Sequence, residues 1–299
     1  MQTRFLFPRI FSALLICSWI TLLGCASPSH PKNSLRDALT FYSSFDHGVH
    51  ADFASGDKQL YGTPGGAKAP AAQPGLPETK DIHLAKNRGR GGDALHYVRK
   101  NSAVLFYKGA KNVDYKTTNW SGSVSFWLKL NPDEELEPGY CDPLQISAGS
   151  WNDGVFFAEF SKDQPRRFRF ALRPLLPIWN PQNLGWEAIA VKDRPMVEVV
   201  NPPFSREQWT HVVFTFANAN TGCKDGVGQL YLNGRFAGEF REWDLSLNWQ
   251  PEQMQVILGA AYVGLFDELA LFNRVLSDGE IKTIFAKKNA LRAHVSTQP

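Results

Sequence analysis

Trp209-Thr210-His211-Val212-Val213-Phe214-Thr215-Phe216, followed after a polar loop by Gln229-Leu230-Tyr231-Leu232-Asn233-Gly234, is the stretch whose reading decides the fold. Val212, Phe214 and Phe216 alternate with His211, Val213 and Thr215, a period of two that belongs to a strand. Asn233-Gly234 supplies two residues that tolerate positive φ, as a two-residue hairpin turn requires. Inside this pattern His211 reads as a structural histidine.

The same alternation extends in both directions. Val124, Phe126, Leu128 and Leu130 mark one face of a strand and Ser123, Ser125, Trp127 and Lys129 the other, so one face is expected buried and one open. Phe168, Phe170 and Leu172 alternate with Arg167, Arg169 and Arg173. Further runs are Leu39–Phe45, Val104–Tyr107, Pro143–Ser147, Gly154–Phe160, Val197–Val200, Gln255–Leu258 and Leu265–Phe272, bounded by Gly, Pro, Asn and Asp. Helix signals are scarce. Ser277-Asp278-Gly279-Glu280 has capping-box spacing and is followed by Ile281, Ile284 and Phe285 on one helical face, which predicts a short C-terminal helix. The expected fold is all-β, an antiparallel sandwich of jelly-roll type. Gly62 to Lys80, rich in Gly, Pro and Ala, reads as a long surface loop, and Leu175 to Trp186 as a second irregular segment.

Residues 1–24 differ from this body. Arg4 and Arg9 precede an apolar run from Ile10 to Leu23, within the ~7–15 residues of a signal h-region and short of the ~20 that span a bilayer. Leu22-Leu23-Gly24-Cys25 resembles a bacterial lipobox, which implies cleavage before Cys25 and acylation of that cysteine; a plain secretory signal ending near Ala26 is the alternative. By the same resemblance, Ala26 at the second position favours a lipid anchor in the outer membrane over other membrane surfaces of the envelope. Residues 25–34 read as a flexible tether and 35–299 as a single domain. Of the 32 basic side chains, Arg4 and Arg9 leave with the signal, so 30 face 29 acidic ones, too even a balance for a nucleic-acid partner. Export removes Cys17 and acylation takes Cys25, leaving Cys141 and Cys223 in polar, loop-like surroundings, where either a disulfide or two free thiols would fit.

Three segments resemble the laminin-G-like jelly-roll domains of the concanavalin A-like lectin and glucanase superfamily. They are Leu39-Thr40-Phe41-Tyr42-Ser43-Ser44-Phe45-Asp46, the hairpin quoted above, and Gly264-Leu265-Phe266-Asp267-Glu268-Leu269-Ala270-Leu271-Phe272-Asn273-Arg274-Val275-Leu276-Ser277. With Ser125-Phe126-Trp127-Leu128 they keep the family's order over most of residues 39–286. The resemblance implies adjacent first and last strands and one structural Ca²⁺ between them, with Asp46 and Asp267 as ligands beside carbonyls near His47 and Gly48, or Asp93. Asp267 is in phase with Leu265, Leu269 and Leu271 and so reads as inward-pointing; turn capping, or a bond from Arg274 or His47, would also account for it.

The resemblance names an architecture and leaves the activity open. Hydrolases of this superfamily carry alternating carboxylates along one strand, and neither Phe157-Ala158-Glu159-Phe160 nor Asp267-Glu268 has a second acid at i+2. Gly-x-Ser-x-Gly and His-Glu-x-x-His patterns are missing, and Gly89-Arg90-Gly91-Gly92 reads as a turn. Sugar recognition needs aromatic faces beside amides and carboxylates, which singles out Trp151, Asn152 and Asp153, with Trp179 and Trp186 as a facing wall; ordinary packing is the competing reading. The arginines 166, 167, 169 and 173 read as a solvated strand face or a contact for an acidic glycan. The expectation is a non-enzymatic, lipid-anchored module that binds a glycan or another surface component. A structural or protein-interaction envelope protein comes second, and a divergent polysaccharide-degrading enzyme third.

Overall fold

The computed structural model describes residues 34–65, 70–149 and 152–295. Its strands are β1 (Leu39–Ser43), β2 (Phe53–Ala54), β3 (Leu60–Thr63), β4 (Gln73–Pro74), β5 (Ile82–Ala85), β6 (Ala94–Tyr97), β7 (Val104–Lys108) and β8 (Trp120–Lys129). They continue with β9 (Cys141–Ser147), β10 (Val155–Phe160), β11 (Phe168–Arg173), β12 (Met196–Val199), β13 (Thr210–Ala219), β14 (Gly226–Leu232), β15 (Arg235–Trp243), β16 (Gln255–Ala260) and β17 (Gly264–Phe272). One sheet runs β15-β14-β13-β8-β17-β1-β2, with β5 and β6 branching from β17; the other runs β12-β11-β10-β9-β16-β7-β3-β4. All pairings are antiparallel, and first and last strands are neighbours through β1 and β17, as expected. Phe126, Phe214 and Phe266 from the first sheet and Phe156, Phe170 and Leu258 from the second share one buried core, which makes the fold a two-layer sandwich.

The hairpin that decided the fold pairs Val212↔Leu232 through Ala217↔Val227, and Asn233 takes φ 52° with Gly234 at 73° in the turn between β14 and β15. The C-terminal helix spans Asp278–Ala286, and both halves of the capping box are made by Ser277 and Glu280.

Four expectations are corrected. The second face of β8 is buried, because the C-terminal helix lies over it: the Phe285 ring stacks 5.9 Å from Trp127, and His211 stacks 4.6 Å from Trp127 on the other strand. The span Gly62 to Lys80 contains the end of β3 and the two residues of β4, and residues 66–69 lie outside the described residues. Cys141 and Cys223 are not bridged: Cys141 opens β9 and is buried in the core, while Cys223 is exposed in the loop between β13 and β14. Finally, Asp267 is out of phase with Leu269 and Leu271. Glu268 takes φ 54° and the β8 register shifts between Asp267 and Ala270, a bulge that switches the faces: Phe266 precedes it in the core, Leu269 and Leu271 follow it there, and Leu265 points outward. Cys25 and Trp151 lie outside the described residues.

Candidate functional site

On β9, β10 and β11 the core takes Leu144, Ile146, Phe156, Ala158, Phe170 and Leu172, so alternation sends Gln145, Phe157, Glu159, Arg169 and Arg173 to the outer face of the eight-stranded sheet. There Glu159 pairs with Arg169 at 3.1 Å, and Arg169 with Glu198 of β12 at 2.7 Å, a row of alternating charge across three strands. The predicted solvated arginine face is corrected at three positions, since Arg166, Arg169 and Arg173 are 2 %, 7 % and 4 % exposed, while Arg167 is exposed and pairs with Glu198. Arg166 serves the backbone, donating to the carbonyls of Ser161, Gly139 and Glu137.

The segment from Leu175 to Arg194 folds back over this face. Asp153 Oδ1 accepts the Leu176 amide at 2.7 Å and Trp179 Nε1 donates to the Asn152 carbonyl at 2.9 Å, so Asn152, Asp153 and Trp179 brace the segment. Trp179 is buried, its ring 5.9 Å edge-on from Trp186. Arg173 lies 4.1 Å over Trp186 and 4.5 Å over Phe157, and Arg194 lies 4.1 Å over Trp186 while donating to the Ile189 and Trp186 carbonyls.

Between segment and sheet lies a cavity of about 400 Å³, lined by Tyr140, Asp142, Gln145, Phe157, Glu159, Arg173 and Trp186. That volume falls within the roughly 300–1,000 Å³ of small-ligand sites. Tyr140 donates to Glu187 at 2.8 Å across the rim. Asp142 and Glu159 come together because β9 and β10 shift register: Ala158 faces Leu144 and Phe160 faces Cys141, leaving Asp142 and Pro143 opposite Glu159. Burial, then the charge of Glu159, pushes the Asp142 carboxyl up to about 8, while its bond from Gln145 pulls the other way. Burial also raises Glu159, against the pull of Arg169. Asp142 Oδ1 is shut off from solvent without a hydrogen-bond partner among the described residues. Burial lowers Arg173 to about 10, opposed by Glu159 and Asp142, and it remains a cation at neutral pH. A search for acids along a single strand could not find Asp142 with Glu159, since a cross-strand register shift unites them. The available signal was one glutamate on β10 and two arginines on β11 at outward positions of otherwise apolar strands.

The expected metal ligands lie on the outer face of the other sheet. Asp267 is fully buried; its Oδ1 accepts the Glu268 amide at 2.8 Å and its Oδ2 the Arg90 amide at 2.5 Å. Asp46 Oδ1 accepts the Asp93 amide at 2.8 Å and its Oδ2 pairs with Arg292, which also holds Glu268 through Nη2 at 2.5 Å. His47 turns to Asp52, at 2.9 Å. The two carboxylates are brought near one another, and burial with the charge of Glu268 raises Asp267 well above the usual carboxylate range. Donors meet all four oxygens and a guanidinium supplies the positive charge, so this set does not fit a calcium ion, which prefers about six to eight oxygens. Among the described residues no group of three or more His, Cys, Asp or Glu side chains is arranged to hold a metal.

Similar architectures occur in solved structures of low sequence identity. Domain 4 of AbnA, a GH43 extracellular arabinanase from Geobacillus stearothermophilus solved with arabinotriose, matches with a TM-score of 0.52 and 16% identity over 84% of this chain and 98% of that one. The binding domain of botulinum neurotoxin serotype C1 gives 0.53 and 11% over 86% of this chain, which spans 53% of that domain. The botulinum neurotoxin DC binding domain, solved with rat synaptotagmin II, gives 0.52 and 12%, with 84% and 52% covered. No curated protein matches the chain in sequence. A family model does match, over residues 107–282, and with more than half of its length so described the chain belongs to the concanavalin A-like lectin/glucanases superfamily.

Proposed function

We propose that this protein is an exported, lipid-anchored binding module, acylated at Cys25, that takes a carbohydrate in the cavity over β9, β10 and β11. The observation that carries the reading is the cavity's composition: aromatic walls from Tyr140, Phe157 and Trp186 around an amide, two carboxyls and a guanidinium, with Asp142 Oδ1 unpartnered. Apolar sugar faces pack on rings while hydroxyls need paired donors and acceptors. Membership of a superfamily that includes lectins supports it, as does the fold shared with an arabinanase domain that was solved with arabinotriose. Binding of the protein and of Tyr140→Ala and Gln145→Ala variants to a polysaccharide array tests it. Capture of a defined glycan, weakened in both variants, is expected; equal capture would remove the cavity from the reading. Loss of lipid labelling in Cys25→Ala tests the anchor.

Asp142 and Glu159 in one cavity favour a second reading, glycan cleavage, since two carboxyls, one of them raised by burial to about 8, are the kind of pair such a reaction uses. Release of reducing ends from the captured polysaccharide, abolished in Glu159→Gln, would establish it.

A further inference from the structure

His83 on β5 and His96 on β6 face one another within four consecutive antiparallel pairs, Ile82↔Tyr97 to Ala85↔Ala94. β6 is itself paired to β17, with His96 beside Leu265. Ile82, Leu95 and Tyr97 point into the core, so both imidazoles stand on the outer side of the sheet, with Ala85, Ala94 and Leu265. His83 is exposed and His96 partly so.

His83 Nε2 and His96 Nδ1 lie 3.4 Å apart, with ring centroids at 5.0 Å and planes at 81°. Without a metal the two nitrogens share a long hydrogen bond, beyond the ~2.7–3.2 Å usual for a nitrogen donor. Their separation matches the edge of a coordination tetrahedron: two Zn–N bonds of about 2.0–2.1 Å at the tetrahedral angle hold their nitrogens about 3.3–3.4 Å apart. Neighbouring ligands in a square-planar copper site would be closer, about 2.8–2.9 Å, so the spacing fits a tetrahedral ion such as zinc better. Both strands are fixed by their ladders before any metal arrives, so only the two rings need ordering.

We propose that His83 and His96 form a two-histidine zinc site on the outer face of the nine-stranded sheet, with water or an exchangeable ligand in the two remaining positions. Arg88 lies near enough to His96 to act on it electrostatically, and its charge opposes a bound cation.

The test is isothermal titration of zinc into the full-length protein prepared without a polyhistidine tag. One saturable site is expected. His83→Ala and His96→Ala should each weaken it by at least about tenfold, since loss of a mere outer-shell partner costs ~10–100-fold. Arg88→Ala should tighten it. Zinc should raise the melting temperature of the wild type and leave that of the double histidine variant unchanged. Equal zinc affinity in the double variant, or no binding by the wild type, overturns the site. Cobalt(II) reads the geometry: intense visible absorption is expected for a tetrahedral ion, and a weak six-coordinate spectrum would overturn that part.

Discussion

A buried carboxyl that keeps its proton at neutral pH ties stability to pH in a definite direction. Asp142 holds a proton in the folded state up to about pH 8, whereas the unfolded chain releases it near 3.8. Between those values the folded state binds more protons, so stability falls as pH rises and the slope vanishes above pH 8; one proton contributes at most about 1.4 kcal/mol per pH unit. Asp142→Asn should flatten the pH dependence of urea unfolding between pH 5 and 7 relative to wild type, and an unchanged slope would mean that the carboxyl is ionised. At the other face, Arg292→Ala leaves Glu268, 5 % exposed, and Asp46 without their cation. A loss of up to about 3 kcal/mol is expected in chemical denaturation; less than about 0.5 kcal/mol would class the contact with solvent-screened pairs. Asp46 and Asp267 were legible as neighbours because Asp267 sits in β17 and Asp46 follows shortly after β1, which pairs with it. Arg292 was not, since the segment that carries it has no periodicity and reaches the acids only through tertiary packing. Trp179 was legible as unusual, yet its indole serves a backbone carbonyl.

At the scale of elements, what is set within a few residues could be read and what is set across strands could not. The Asn233-Gly234 turn and the Ser277 capping box follow from local backbone preference, and both are present. Ser277→Ala should destabilise by about 1 kcal/mol, measured as a lower urea midpoint with unchanged slope; no change would mean that Arg274, 2.7 Å from Glu280, holds the helix end by itself. The bulge at Glu268 and the register shift beside Asp142 are different. Each depends on which residue of a neighbouring strand it faces, and a period-two pattern carried through such a point assigns every later side chain to the wrong face. That is why Asp267 seemed aligned with Leu269 and Leu271, and why the pair of acids at the cavity escaped a search along single strands.

For the molecule as a whole, the two thiols separate local access from global opening. Cys223 should react with a thiol reagent at once, whereas Cys141 should react only as fast as the sandwich opens, its rate rising with denaturant. Comparable rates in Cys223→Ser and Cys141→Ser variants would show that β9 opens separately. The β13–β14 pairing and the adjacency of first and last strands were legible, the one from local alternation and the other from the family's motifs. The burial of both outer faces was not, since the helix and the segment over them reveal their targets only in three dimensions. The described chain starts at Ser34, and the turn Leu35–Ala38 packs with Tyr42, Ala270 and Ile284 on the outer face of the nine-stranded sheet. The cavity lies on the outer face of the opposite sheet. The first described residues and the cavity therefore occupy opposite outer faces of the sandwich, so a partner that covers one leaves the other open.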